Sequence, residues 1–393
     1  MKTICSFGFF LLIWLSASSC KKTTADEPIV TPVLRSVSWN ESSESGAALA
    51  VVEKDIPNFQ STNLGNSRML RVLLPEYYDS DSVFIKVSVE LETVATSPIE
   101  YYYALNGKGF KVLPESKVVR VPNGQNTLRV YAMNSIHQKS EVLTIPDIVV
   151  NMSYKVLYVN DGQDFTALNF KNILANLYSS RSIEKIIVVG IDATGNRLNE
   201  YGTIDSNGHS VVCFSSAGQI GNKAKEYTAF LTEEVMPYIN QNFRVTTGAE
   251  NTAIMGSSLG GLSAFNIAWM KPTFFGRVGA FSGSFWWRGY AGNNPTGEQI
   301  NQSRIMQNLV KSSTKRAGMK FWFEAGTNDE TGDRDGDGII DAIDDTKDLM
   351  LTLKSLGYVE NQDYVYVQVE GGLHNQLTWS QVLDDFLIWC YGK

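Results

Sequence analysis

From Tyr154 onward the chain alternates short, continuously apolar runs with amphipathic stretches, and this alternation restricts the fold more than any other feature. The apolar runs are YKVLYVND, IEKIIVVGID, TAIMGS, RVGAFSGS, KFWFEAGT and DYVYVQVE. Between and after them lie FTALNFKNILANLYSS, AKEYTAFLTEEVMPYINQNF, GGLSAFNIAWM, KDLMLTLKSLG and TWSQVLDDFLIWC. A strand that is apolar at every position has no face to offer to water, so both faces need covering, and a helix after each strand supplies the cover. Residues 151–393 are therefore expected to form an α/β domain, a mostly parallel sheet with helices on both faces. Its active residues belong at the carboxyl ends of the strands.

Residues 33–150 read differently. Short β-rich runs such as VFIKVSVELE, IEYYYALNGKGF and KVVRVPNGQNTLRVYAMN alternate with turn residues, and Asn106-Gly107 and Asn123-Gly124 are hairpin dipeptides. The expectation is an immunoglobulin-like β-sandwich, either N-terminal or inserted. Insertion is open because RMLRVLLPEYY, Arg68 to Tyr78, looks like the first strand of the α/β domain, which would then claim residues 68–80.

The N-terminus, MKTICSFGFFLLIWLSASSCKK, joins a Lys to an apolar run from Phe7 to Leu15 and small residues up to Cys20. Residues 1–19 are read as a secretory signal, too short to span a membrane as a mature helix. Small residues ending on Cys resemble a bacterial lipoprotein signal, in which Cys20 becomes the acylated first residue; an ordinary cleaved signal with an incidental Cys is the alternative. Residues 20–32 then form a polar tether, and the protein is expected to be exported and held on a membrane only by its lipid anchor. Cys213 and Cys390 can pair or remain buried free thiols. A net charge of -7 and a pI near 5.2, without Lys/Arg clusters beyond pairs, exclude a nucleic-acid partner. Nothing in the sequence speaks to oligomeric state.

TAIMGSSLGGLSAF contains Gly256-Ser257-Ser258-Leu259-Gly260, a G-x-S-x-G match. With Gly at 32 of 393 positions, about 0.2 such matches arise by chance, so the string alone says little. Its setting says more: an apolar strand precedes it, a helix ending at Lys271-Pro272 follows, and the glycines permit the sharp turn that exposes a serine above a sheet. Ser258 is the candidate nucleophile. Its hydroxyl needs a base, normally a His oriented by a carboxylate. Of His137, His209 and His374, only His374 follows the serine, as the order Ser, acid, His of this fold requires. The oxyanion calls for two backbone N–H donors, for which Leu259 and Gln163 are the candidates.

These pieces together resemble the esterase D-like family of enterochelin, feruloyl and acetylxylan esterases and mycolyltransferases. The resemblance covers about residues 151–393 and rests on LYVNDGQDF, VVGIDATGNRLNEYG, FLTEEVMPYINQNFRV, GSSLGGLSAF, FSGSFWW, EAGTNDE and GGLHNQLTW, in the family's order. It implies an α/β-hydrolase acting on carboxylic esters without a catalytic cofactor, with Trp286 and Trp287 bordering the substrate pocket. It also implies that the triad acid follows the GT at a strand end, which is Asp329 here, with Glu330 one residue away. The expected substrate is a small-molecule or glycan ester of feruloyl or acetyl type. A siderophore trilactone and a catalytically silent glycan-binding lipoprotein are the alternatives.

Beyond Asp329 the chain reads DRDGDGIIDAID. Counting Asp333 as first places Asp335 third, Asp337 fifth, Gly338 sixth, Ile339 seventh and Asp344 twelfth, the register of a calcium loop with a backbone carbonyl at Ile339. A hard divalent cation would relieve the repulsion among these carboxylates, so a structural Ca2+ is expected; a solvated acidic loop is the alternative.

Overall fold

The computed structural model describes residues 30–41, 51–75, 82–92, 97–150, 153–215 and 218–393. The expected signal peptide, most of the tether and Cys20 lie outside these residues. The chain divides into two compact units.

In the smaller unit, Leu34–Glu41, Ser82–Leu91 and Val118–Pro122 make a three-stranded sheet in that order. Leu143–Val150, Gly124–Asn134, Ile99–Leu105 and Lys111–Val112 make a four-stranded one. Gly124–Asn134 shows why these segments are strands: Leu128, Val130 and Ala132 are buried while Thr127, Arg129 and Met133 are less so, a period-two pattern that only Tyr131, stacked on Tyr102, interrupts.

The stretch Val51–Pro75 does not join these small sheets; the sequence leaves residues 68–80 open as a first strand of the α/β domain but assigns residues 51–67 to the β-rich region. Val51–Glu53 and Ile56–Ser61 pair antiparallel with Asn66–Pro75, which in turn pairs antiparallel with Ile186–Ile191 of the larger unit. The reason is burial: Leu70, Val72, Leu73 and Leu74 are almost wholly covered, more than a two-layer edge could achieve.

The larger unit is built on a nine-stranded mixed sheet. After Asn66–Pro75 its order runs Ile186–Ile191, Lys155–Asn160, Thr252–Ser257, Arg277–Phe281, Lys320–Asn328 and Tyr364–Leu373, and every neighbouring pair along this run is parallel. Every residue of Ile186–Ile191 and of Thr252–Ser257 is buried. Alternate residues serve opposite faces. Val156, Tyr158, Ile187, Val189 and Ile254 pack with the helices Leu259–Met270 and Asp341–Ser355. Leu157, Val159, Ile186, Val188 and Met255 pack with Phe170–Ser179 and Leu383–Tyr391. Chain order reverses about Lys155–Asn160, whose neighbours are the next strand in sequence on one side and Thr252–Ser257 on the other. Crevices at such reversals, beyond the strands' carboxyl ends, are where open α/β sheets bind ligands.

Leu259–Met270 is buried on all sides up to Trp269. Phe265 is its anchor, with ring contacts to Trp269, Phe285, Phe321 and Phe323. Phe265→Ala is expected to lower unfolding free energy by about 3–5 kcal/mol, read from urea unfolding. A loss below about 1 kcal/mol would mean that this helix is not held as described.

Candidate active site

Ser258 stands between the strand Thr252–Ser257 and the helix Leu259–Met270 with φ 58° and ψ -127°, a conformation that a residue with a side chain seldom adopts. Such strain costs about 1–3 kcal/mol and persists only when the surroundings over-determine it. Ser258 N–H donates to Phe281 O at 2.9 Å, and its carbonyl accepts from Gly261, Leu262 and Ser284 N–H at 3.0, 3.1 and 3.1 Å. The flanking glycines are sterically required: a Cβ on Gly256 would lie 2.5 Å from the Gly260 carbonyl, and one on Gly260 would lie 2.8 Å from Asp161 Oδ2. Asn160 locks the turn from beneath, donating to Gly260 O at 2.9 Å while accepting from Tyr227 OH at 2.7 Å. Leu259 is the first helical residue, so its N–H has no acceptor within the helix.

The second loop follows Lys155–Asn160. Asp161 takes a left-handed φ of 61°, and Gly162 comes so close to Gly190 that a Cβ would meet its backbone at 2.6 Å. A brace that the sequence reading missed fixes this turn. Arg197 grips both oxygens of Asp161 at 2.8 and 2.7 Å, and Tyr201 OH accepts from Asp161 N–H at 3.0 Å. Gln163 is pinned by its side chain, which accepts from Ala193 N–H at 2.8 Å and donates to Asp161 at 3.1 Å. Its side chain thereby anchors the turn on both sides. The signal for this brace was present in GIDATGNRLNEYG, but pairing Asp161 with Arg197 requires knowing that their two strands are neighbours.

His374 follows the strand Tyr364–Leu373, and its Nδ1 lies 2.6 Å from Asp329 Oδ1, just past Lys320–Asn328. Of the two acids left open by the sequence, Asp329 is the one that meets the imidazole, and its side chain is 0% exposed. The Asp329 hydrogen bond holds the His374 pKa above its ordinary value, while burial opposes it. Burial pushes the Glu330 carboxyl up, and the neighbouring His374 charge pulls it down. Trp379 packs edge-on against the imidazole, ring centroids 5.3 Å apart, and its Nε1 donates to Ser282 Oγ at 2.8 Å. Ser282–Ser284 thus joins the two halves of the site, since Ser284 also reaches Ser258, Oγ to Oγ, at 3.5 Å. Among the described hydrogen bonds none links Ser258 Oγ to His374; such bonds commonly tighten only when substrate binds. Gln376 ties the His374 loop to the Gln163 turn by donating to Asp164 at 3.1 Å.

One expectation is corrected and one alternative left open by the sequence is decided. Trp287 does not border a pocket: it is 0% exposed and its ring fills the space beside Gly202 and Gly221. Only Trp286, half-buried, keeps a face outward. Cys213 and Cys390 do not pair; both are buried free thiols. His209 is exposed and sits beside Asp205.

The acidic stretch resolves into two sets. Asp341 and Asp345 pair with Arg334, and Asp345 also with Arg304, as structural ion pairs. Asp333, Asp335 and Asp337 remain exposed with carboxylate oxygens all within 4.8 Å of one another. Asp333 accepts Gly336 and Gly338 N–H at 2.7 and 3.0 Å, so the loop curls around its first member. An all-oxygen donor set of this kind suits a hard divalent cation.

A strained serine at a helix start, connected through Ser284, Ser282 and Trp379 to an imidazole that a buried carboxylate meets, has the groups that acyl transfer through serine uses. Residues 134–390 match the family described as "Putative esterase". The chain is 25% identical over 240 residues to "Uncharacterized protein YbbA" of Bacillus subtilis (strain 168), covering 61% of this chain and 86% of that one. Its structure is similar to that of a ferulic acid esterase, with TM-score 0.52 and 17% identity over 87% of this chain and 98% of that chain. Weaker likenesses include a ferulic acid esterase from Anaeromyces mucronatus solved with ferulic acid (TM-score 0.48, 16% identity, 88% and 93% covered). Another is the enterobactin esterase of Shigella flexneri (TM-score 0.45, 14% identity, 87% and 96% covered). The match to the family over more than half of its length, on the site just described, means that the chain belongs to the Esterase family and is a carboxylic ester hydrolase.

Proposed function

We propose that the reaction runs through Ser258, His374 and Asp329 and an acyl-enzyme, on feruloyl- or acetyl-type esters of glycans. The observation that carries this reading is the 2.6 Å bond between buried Asp329 and His374, joined by the Ser282–Ser284 loop to a serine held in a strained turn. His374 takes the Ser258 proton as Oγ bonds to the ester carbonyl carbon, and Leu259 and Gln163 N–H donate to the oxyanion. The C–O bond to the alcohol breaks, the alcohol leaves with the proton from His374, and water repeats the sequence to release the acid. Asp329 keeps the imidazole in the right tautomer and stabilises its cation. Trp286, outward and aromatic, suits contact with an aromatic acyl group or a sugar ring. Initial rates on p-nitrophenyl acetate, methyl ferulate, acetylated xylan and a ferric catecholate trilactone test the substrate class. Preference for the trilactone would replace the glycan assignment, and no turnover of any would defeat the reading.

The reading extends to three further features. Asp333, Asp335, Asp337, the Ile339 carbonyl and Asp344 are proposed to hold a structural Ca2+, outside the catalytic step. Saturating Ca2+ is then expected to raise the melting temperature by several degrees over an EDTA-treated sample, following the RT ln(1 + [L]/Kd) law; superimposable melts, with no calcium by elemental analysis, would remove the site. Export on an acylated Cys20 is proposed for the N-terminus, and the smaller unit is proposed to be an immunoglobulin-like sandwich.

A further inference from the structure

One buried acid near the site has no part in the steps above. Glu324 lies inside the strand Lys320–Asn328, is 0% exposed, and is the one charged side chain in an otherwise apolar run, FWFEAG. Its Oε2 accepts from Ser282 N–H at 3.2 Å and from Ser282 Oγ at 3.4 Å. Ser282 Oγ in turn accepts from Trp379 Nε1, and Trp379 is the ring packed edge-on against His374. Ser282 is held at φ 44°, in the left-handed region, and needs such partners to stay there. A continuous bracket therefore runs from Glu324 through Ser282 and Trp379 to the catalytic imidazole.

A second observation concerns the two oxygens left over. Glu324 Oε1 and Asp329 Oδ2 are both buried and have no hydrogen-bond partner among the described residues. Two ionised carboxylates there would offer only acceptors and would repel one another without water to screen them. One proton removes the repulsion and turns an acceptor into a donor.

We propose that Glu324 is a positioning residue for His374: it holds the Ser282–Trp379 bracket and carries a proton beside Asp329, so that a single negative charge faces the imidazole. The inference rests on the serine-esterase reading above. The groups that face Glu324 are Ser282, Asp329 and, on the adjacent strand, Tyr366; those that face His374 are Asp329, Glu330 and Arg197. Burial, with the Asp329 charge second, pushes the Glu324 carboxyl up to about 8. Loss of its proton sets a second buried negative charge against Asp329, and the repulsion disturbs the Asp329 carboxylate and the Ser282–Trp379 bracket that align the imidazole. The base is then neutral but misaligned, so activity falls as pH rises past the Glu324 pKa.

The test is the pH dependence of kcat/KM on p-nitrophenyl acetate, corrected for spontaneous hydrolysis, for wild type, Glu324→Gln and Glu324→Leu. Wild type is expected to lose about threefold or more of its activity between neutral pH and about pH 9.5. Glu324→Gln, which accepts from Ser282 and supplies a permanent N–H donor, is expected to abolish that fall. Glu324→Leu removes the bracket and is expected to lower kcat about tenfold with KM little changed, Gln restoring most of the loss. A wild-type profile flat to about pH 9.5 overturns the proposal whatever the variants do. A Glu324→Gln profile that superposes on wild type also overturns it. Retained activity in Ser258→Ala, assayed alongside, would instead defeat the esterase reading on which the proposal stands.

Discussion

Ser258→Ala is expected to lower kcat on p-nitrophenyl acetate by about 10⁴-fold or more, with the fold and melting temperature kept. The magnitude follows from what is removed. Without Oγ the proposed acyl-enzyme cannot form, and the proposed Leu259 and Gln163 donors would only polarise a carbonyl toward attack by water. Such residual catalysis over solution is typically about 10³–10⁴, far below the intact enzyme. Structural damage should be slight because Ser258 is held by its backbone, through Phe281, Gly261, Leu262 and Ser284, and its side chain has only the long contact to Ser284. Alanine adopts the same φ of 58° with no greater difficulty than serine. Steady-state rates with circular dichroism on the same samples decide the matter. A Ser258→Ala enzyme retaining a tenth of wild-type kcat would require a different nucleophile.

Asp329→Asn is expected to cost about 10³–10⁴-fold in kcat and to move the acid side of the pH profile. The base acts when neutral, so activity rises with pH through the His374 pKa. The Asp329 hydrogen bond is the first cause holding that pKa above its ordinary value, which puts the wild-type limb above about 6.5. Removing the carboxylate charge lets the pKa fall, so the residual activity of Asp329→Asn should rise at lower pH than wild type. Glu330→Gln is the control, because Glu330 lacks the 2.6 Å bond that Asp329 makes. A Glu330 variant with the larger loss, or an Asp329→Asn profile with its limb unmoved, would transfer the orienting role.

Much of this was legible because burial leaves a plain record in sequence. Ile186–Ile191 and Thr252–Ser257 are covered on both faces and read as unbroken apolar runs. The sharp turn at Ser258 was legible because close approaches at Gly256 and Gly260 favour glycine there. What escaped notice depended on partners distant in the chain. Val51–Glu53 and Ile56–Ser61 are mostly exposed, and their period does not distinguish an edge of the large sheet from a small hairpin. Trp286 and Trp287 are adjacent, and in a loop nothing in sequence says which one turns inward; Trp287 does. The same holds for Asp329 and Glu330, chosen between by where His374 arrives from the neighbouring strand. Glu324 was hidden by its company, since one acid in an apolar strand reads as an exposed position until the strand proves covered on both sides.

Ser258 as nucleophile is tested by the mass of the wild-type protein after reaction with a fluorophosphonate, followed by peptide mapping and a His374→Ala control. One adduct per chain is expected, on Ser258, formed quickly in wild type and slowly in His374→Ala. No adduct in a folded wild-type sample, or an adduct on Ser257 or Ser284 in place of Ser258, would contradict it.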